Sequence, residues 1–169
     1  MDIVTIAEKK DERFLRQKTK LVTFPVLSIQ TLRALIRDMK QTMRAADGVG
    51  LSANQVGLDM HLFIGEVPDA ECSRNKFYAI VNPEIVKASK ETEKMEEGCL
   101  SVPGVFGTVE RPDRITVAGF DIYGKRIKIK AWGFLARVLQ HEIDHLNGTL
   151  FIDKAKGLHT LQASNKKSS

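Results

Sequence analysis

The sequence contains little cysteine and no long apolar run. Its 169 residues include two cysteines, Cys72 and Cys99. Two cysteines cannot form the framework of a small disulfide-rich secreted domain, and they fit a reducing compartment. No window approaches the run of about 18 apolar residues that indicates a transmembrane helix, so we expect no membrane partner.

The first twenty residues also lack the features of a targeting segment. They contain no apolar run, which argues against a secretory signal, and they include acidic residues, which transit peptides avoid. These acidic residues are Asp2, Glu8, Asp11 and Glu12. We therefore expect a cytoplasmic protein, although a processed organelle protein would carry the same features.

Positive charge is in modest excess but is not concentrated. A net charge of +5 favours anionic partners such as RNA. The basic residues, however, form separate short runs at 9–10, 16–20, 124–130 and 166–167, which are typical of solvated faces. We predict no recognition of a specific nucleic-acid sequence.

The length and the ordinary composition, 43% apolar and 28% charged, predict one globular domain over residues 1–169. From about residue 154 onward the chain becomes polar, and we expect a loose or short helical tail there. Hydrophobic periodicity predicts a helix over residues 29–46. Ser28 suits its N-cap, and Asp47-Gly48 suits its end, with Gly48 in the left-handed region.

Aromatic and aliphatic residues predict strands in the middle of the chain. They cover residues 61–67, 76–82, 114–122 and 125–131, and Tyr123-Gly124 between the last two predicts a hairpin. The connections are short, as in antiparallel pairs, and a helix precedes and follows the strands. We therefore predict an α+β fold with a largely antiparallel sheet.

A second helix begins near Ala131 and carries the sequence HEIDH in its last two turns. Residues four apart lie on the same side of a helix, with Cβ atoms about 6 Å apart, so His141 and His145 can reach one divalent ion. Glu142 is offset from them and can serve as a base. The alternative, two surface histidines on a solvated helix, is disfavoured by the neighbouring apolar residues Val138, Leu139 and Leu146.

A histidine pair needs a third ligand to hold a catalytic metal tightly. One zinc-protease pattern places a third histidine three residues after Gly148, where this chain has Phe151. Another uses a downstream glutamate, but no acidic residue follows Asp153. Asp153 itself stays possible, whereas His159 lies in a polar segment typical of an exposed histidine.

Upstream, Cys99 is the strongest candidate for the third ligand. His61 has no ligand-like spacing, and Cys72 lies in a polar segment typical of an inert loop thiol. Gly98 permits a close backbone approach beside Cys99. Two histidines, one thiolate and one water would complete a four-coordinate catalytic site. A lone cysteine is also commonly a small buried apolar residue, so the assignment stays open on these grounds.

Three segments together resemble the motifs of the peptide deformylase family. They are GVGLSANQ at 48–55, EGCLS at 97–101 and QHEIDH at 140–145. Their order and spacing also match, and the resemblance runs from about Ile3 to Asp153. It implies an α+β fold whose sheets wrap around a central C-terminal HExxH helix. It also implies removal of the formyl group from N-formylmethionine on newly made proteins, with release of formate.

The resemblance also implies roles for individual residues. The metal ligands are Cys99, His141 and His145, the general acid and base is Glu142, and the formyl oxygen is bound by Gln55 and the backbone N–H of Leu100. The resemblance implies iron(II) as the cellular metal, with zinc, nickel or cobalt accepted.

The substrate-binding residues follow from position. Val49 and Gly50 can pair with the substrate as a strand, and Gly98 gives space beside the ligand. Phe134 and Val138 precede His141 by one or two turns and can form walls for a methionine side chain. A plain glycine turn and an apolar core are the corresponding alternatives.

The sequence departs from the family in two places. Ser52 stands where members usually carry alanine, and its small size predicts little effect. Some bacterial members dock on the ribosome through a longer C-terminal helix, whereas only sixteen residues follow Asp153 here. We expect formylated nascent peptides as partners. The ribosome surface stays a candidate partner, but the short C-terminal segment does not support docking through such a helix.

Two rival interpretations are a zinc endopeptidase that uses Asp153 or His159 and a basic RNA- or ribosome-binding protein with a structural metal. The second is disfavoured because structural zinc sites have four protein ligands and this chain offers three good candidates.

Overall fold

A computed structural model describes residues 1–24, 28–68 and 74–160. Cys72 and residues 161–169 lie outside the described residues. The helices are α1 (Lys9–Leu15), α2 (Ile29–Ala45) and α3 (Gly133–Leu146), with 3₁₀ helices at Ala53–Val56 and Phe151–Asp153. The strands are β1 (Gly50–Ser52), β2 (Leu62–Pro68), β3 (Asn75–Ala88), β4 (Thr92–Cys99), β5 (Val102–Pro112), β6 (Arg114–Phe120), β7 (Arg126–Trp132) and β8 (Lys156–Thr160).

The strands form two sheets around helix α3. A five-stranded sheet has the order β1-β2-β3-β6-β7, and a three-stranded sheet has the order β4-β5-β8. All pairs among the described strands are antiparallel, and α3 contacts both sheets. This architecture confirms the predicted α+β class with antiparallel sheets packed around the HExxH helix.

Helix α2 follows the predicted pattern closely. Ser28 is its N-cap, and the Ser28 Oγ atom accepts a hydrogen bond from the Thr31 N–H at 3.1 Å. The prediction that Gly48 occupies the left-handed region is wrong, because Asp47 does so, with φ at 54°. Aspartate tolerates this conformation better than most residues. The Gly48 N–H instead bonds the Met43 carbonyl oxygen at 2.9 Å.

Helix α3 packs its apolar side against the five-stranded sheet. Leu139, Ile143 and Leu146 are buried in one cluster with Phe63 and Val117 from the strands. Burying each such side chain contributes about 1.5–3 kcal/mol, so this contact determines which side of α3 faces the sheet. The histidine side of the helix is consequently turned towards the other sheet.

Several elements carry no strong local signal. Strand β4 is mostly polar, and β5 contains proline and two glycines, which have low strand propensity. The prediction of a loose or helical tail is wrong for Lys156–Thr160, which pair with β5 as β8. The edge of β5 that faces away from β4 provides the N–H and C=O groups with which this segment pairs. Within the described residues, no helix is long and apolar enough to span a membrane.

Candidate metal centre and active site

Helix α3 and the end of strand β4 bring three ligand atoms together. His141 and His145 project from α3, and Cys99 is the last residue of β4. The Cys99 Sγ atom lies 3.1 Å from His145 Nε2, and the two histidine Nε2 atoms lie 3.2 Å apart. All three ligand atoms lie within 4.8 Å of one another. Cys99 is therefore the candidate that joins the histidine pair.

The other candidates for the third ligand lie elsewhere. The Asp153 carboxylate accepts a hydrogen bond from Arg16 at 3.0 Å and faces that guanidinium. His159 is exposed on β8. His61 is buried, with its Nδ1 atom 2.8 Å from Thr19 Oγ1. Across residues 1–24, 28–68 and 74–160, Cys99, His141 and His145 form the one group of three with this geometry.

The charges around the three ligand atoms fit a cation. Burial raises the pKa of the Cys99 thiol, but the adjacent His145 and His141 outweigh burial and hold it well below its ordinary value. Burial lowers the pKa of His141, but hydrogen bonds with Cys99 and Glu97 outweigh burial and raise it to about 10. The Cys99 thiolate and the neighbouring imidazoles therefore stabilise a positive charge placed between them. A divalent ion would supply that charge in place of the proton, and imidazole and thiolate donors suit transition metals.

Glu97 holds the His141 imidazole through the ring nitrogen that does not face the other ligand atoms. Its Oε2 atom accepts a hydrogen bond from His141 Nδ1 at 2.9 Å, which turns Nε2 towards the other ligand atoms. Arg111 donates two hydrogen bonds to the carboxylate, at 2.6 and 2.9 Å, and Arg137 donates a third at 2.9 Å. Burial raises the pKa of Glu97, but Arg111 and His141 outweigh burial and hold it well below its usual range. The imidazole thus has a permanently charged acceptor.

Glu142 is buried beside the ligand atoms and lines the adjoining cleft. Within the described part of the chain, its Oε2 atom has no hydrogen-bond partner. Burial raises the pKa of Glu142 to about 7, against the opposing effect of His141 and His145. A carboxyl group with a pKa near neutrality suits both acceptance and return of a proton.

Gln55 approaches the same site from the 3₁₀ helix after β1. Its Nε2 atom donates to Ser101 Oγ at 3.1 Å and lies 3.5 Å from Cys99 Sγ. Leu100 follows Cys99 in the turn between β4 and β5 and lines the cleft. An amide donor and a backbone segment therefore flank the thiolate on the side of the cleft.

A cleft of about 540 Å³ opens beside these groups. All five residues predicted to bind substrate line it: Val49, Gly50, Gly98, Phe134 and Val138. Of the predicted ligands and catalytic residues, Cys99, His141, Glu142, Gln55 and Leu100 also line it. His145 is buried behind them. Strand β1, an edge strand of the larger sheet, forms one rim.

Sequence reasoning missed residues that support the site. Glu97 and Ser101 lie inside the EGCLS segment but received no role. Arg137 precedes His141 by four residues, so helical periodicity could have placed both on one side of α3. Other missed residues are Arg111, on β5, and Asn54, whose Nδ2 donates to the His145 carbonyl oxygen at 2.7 Å.

The geometry of this site agrees with the family of proteins that the chain resembles. A family model described as Polypeptide deformylase matches residues 2–160. The chain belongs to the polypeptide deformylase family. This family is metal-dependent and hydrolyses the formyl amide of N-formylmethionine peptides, and the chain is a hydrolase of that class.

Individual deformylases are similar over most of the chain. The peptide deformylase of Symbiobacterium thermophilum is 45% identical over 150 residues, covering 89% of this chain and 66% of that protein. The one from Halothermothrix orenii is 46% identical over 140 residues, covering 83% and 86%. The crystal structure of peptide deformylase from Thermotoga maritima superposes with a TM-score of 0.80 at 38% identity, covering 91% of this chain and 96% of that one.

Proposed function

We propose that Cys99, His141 and His145 hold one divalent ion and that Glu142 is the general acid and base for deformylation. The observation that carries the proposal is the 3.1 Å approach of Cys99 Sγ to His145 Nε2 beside the buried Glu142 carboxylate. When bound, the ion polarises the formyl carbonyl and lowers the pKa of the attacking water.

Glu142 moves the proton. Its carboxylate takes a proton from the water as the oxygen attacks the formyl carbon, and it then passes that proton to the departing amine nitrogen. The products are formate and a peptide with a free N-terminal methionine. Because Glu142 is buried, the proton is held away from bulk solvent between the two transfers.

Gln55 and Leu100 stabilise the charge that develops. Attack on the formyl carbon places negative charge on its oxygen, and donors directed at that oxygen lower the barrier. The Gln55 Nε2 group and the Leu100 backbone N–H serve as these donors. Gln55 is suited to this role because its amide already faces the Cys99 side of the cleft.

The cleft binds an extended peptide. Gly50 begins the edge strand β1 and Val49 directly precedes it, so the substrate backbone can add along these residues as a further strand. Phe134 and Val138 form walls for the methionine side chain. The formyl carbon bears only hydrogen, so a tight space around that carbon would exclude an acetyl group.

Iron(II) is the metal that we propose for the cell, with zinc, nickel or cobalt able to replace it. Iron(II) with a thiolate ligand is sensitive to oxidation, so air or peroxide should inactivate the cellular form. Indifference to oxygen would point to zinc or nickel. The substrates are formylated nascent peptides, which the enzyme would meet at the ribosome surface in the cytoplasm.

Formate release from formyl-Met-Ala-Ser under anaerobic conditions tests the proposed function, with acetyl-Met-Ala-Ser as the matched control. We expect hydrolysis of the formyl peptide and none of the acetyl peptide. Cleavage of casein without formate release would instead support an endopeptidase. Steeply salt-dependent RNA binding without hydrolysis would support a binding protein.

A further inference from the structure

Ser52 has contacts that an alanine at this position could not make. It is fully buried at the end of strand β1. Its Oγ atom lies 2.9 Å from Gln55 Oε1 and 2.9 Å from Asn54 Oδ1. Its hydroxyl group therefore lies between two side-chain amides, one of which belongs to a residue of the active site.

Both amides have a defined orientation. Asn54 Nδ2 donates to the His145 carbonyl oxygen at 2.7 Å, which turns Asn54 Oδ1 towards Ser52. Gln55 Oε1 accepts a hydrogen bond from the Ser52 N–H at 2.9 Å, which turns Gln55 Nε2 towards Ser101 and the cleft. The Ser52 hydroxyl has one proton, and both neighbouring oxygens can accept it.

We propose that Ser52 is a positioning residue that keeps the Gln55 NH₂ group directed at the formyl oxygen. This inference rests on the role proposed above for Gln55. Replacement of the hydroxyl group by hydrogen, as in alanine, would remove this donor from Asn54 Oδ1 and Gln55 Oε1 and would leave the Ser52 N–H as a donor to Gln55 Oε1. A buried amide with fewer partners samples more orientations, so its donor is aimed at the substrate for less of the time.

The Ser52→Ala variant should lose turnover without losing binding. The Ser52 N–H still holds Gln55, so we expect kcat to fall about three- to tenfold, as for one neutral hydrogen bond. The substrate backbone and methionine contacts lie elsewhere, so KM should change by less than about twofold. Ser52→Cys, with a weaker donor of similar shape, should lie between alanine and wild type. Ser89→Ala, at a half-buried serine between β3 and β4 whose hydroxyl contacts the backbones of Glu91 and Arg114, is the matched control and should retain the wild-type kcat.

A double-mutant cycle separates this role from a general structural one. In a Gln55→Ala background, Ser52→Ala should cost less than about twofold, because the group that Ser52 positions is gone. The full loss in that background would overturn the proposal and would indicate an effect through Asn54 and the His145 backbone. Wild-type kcat in Ser52→Ala would also overturn it.

A spectroscopic readout makes the test independent of turnover. In the zinc-substituted protein, the Gln55 side-chain NH₂ signals can be identified by their absence in Gln55→Ala. Ser52→Ala should accelerate their hydrogen exchange, whereas unchanged exchange would overturn the proposal. A wild-type protein that releases no formate would refute the proposed function, and the Gln55 signals would still decide whether Ser52 holds the amide.

Discussion

Gly50 and Glu142 lie in direct contact where strand β1 meets helix α3. A Cβ atom added at Gly50 would lie 2.7 Å from the Glu142 Cδ atom and would overlap the carboxylate. The Glu142 side chain has room beside β1 because residue 50 carries no side chain. The second glycine of GVGLSANQ thus makes room for the proposed general base as well as for the proposed close approach of the substrate.

Gly50→Ala should lower kcat/KM by about 10², because displacement of a catalytic group by about 1 Å can cost that much. Gly65→Ala is the matched control. Gly65 pairs directly with Gly50 across β1 and β2, and its added Cβ would meet Val138 at an ordinary 3.5 Å. Formate release measures both variants, and an equal loss in the two would contradict a specific clash with Glu142.

Glu142→Ala should keep the metal and lose turnover. The carboxylate is not among the three grouped ligand atoms, and loss of a general acid and base costs about 10²–10⁴ in kcat. Elemental analysis and formate release on the same preparation give the two quantities. If the variant loses its metal, Glu142 has a structural role rather than the proposed catalytic one.

Cys99→Ala should strip or loosen the metal. Removal of one of three protein ligands leaves two imidazoles, which do not hold a catalytic ion tightly. Cys72→Ala removes the other thiol and should leave the metal content unchanged. Metal-to-protein ratios after gel filtration compare the two, and a fully loaded Cys99→Ala variant would refute Cys99 as a ligand.

Glu97→Gln should weaken metal binding by about 10–100-fold, since His141 would lose its charged hydrogen-bond acceptor. It should also lower the free energy of unfolding by roughly 3–5 kcal/mol, because Arg111 and Arg137 would lose the buried carboxylate. Competition with a chelator and urea denaturation measure the two effects. The neighbouring Glu96 is exposed, so Glu96→Gln should change neither quantity; similar losses in both variants would contradict the prediction.

Acid should weaken the contribution of His61 to stability. Burial lowers the pKa of His61, so below its ordinary value of about 6.5 the unfolded chain binds more protons than the folded one. The contribution of neutral His61 is present above that pH and decreases as pH falls. Urea denaturation at about pH 8 and pH 5 should show a smaller stability advantage of wild type over His61→Gln at the lower pH. An equal difference at both would contradict this assignment.

Local patterns predicted the elements that depend on neighbouring residues. Helix α2, its Ser28 cap, the β6–β7 hairpin and the HEIDH helix all follow from periodicity and turn chemistry. Strands β4 and β5 were not predicted from the sequence, because their stability comes from pairing with each other rather than from apolar alternation. Strand β8 was not predicted either, because its segment is polar and forms a strand only by pairing with the outer edge of β5.

The residues of the candidate site likewise fall into those that the sequence predicted and those that it did not. Spacing alone placed His141 and His145 on one side of a helix with Glu142 beside them. The third ligand stayed open between Cys99 and Asp153 until the resemblance to deformylases favoured Cys99. Among the supporting residues, Arg111 carried no sequence signal, because it reaches Glu97 across a strand pair.

By itself, the sequence determined the α+β class, the histidine pair and its neighbouring base, because these follow from contacts within a few residues along the chain. Only the tertiary structure decided which distant groups meet them. The packing of β4 against α3 brings Cys99 within 3.1 Å of His145, and the crossing of β1 requires Gly50 beside Glu142. It also brings the Gln55 amide to 3.1 Å from Ser101 Oγ. Such contacts depend on how whole elements pack, and no local spacing encodes them.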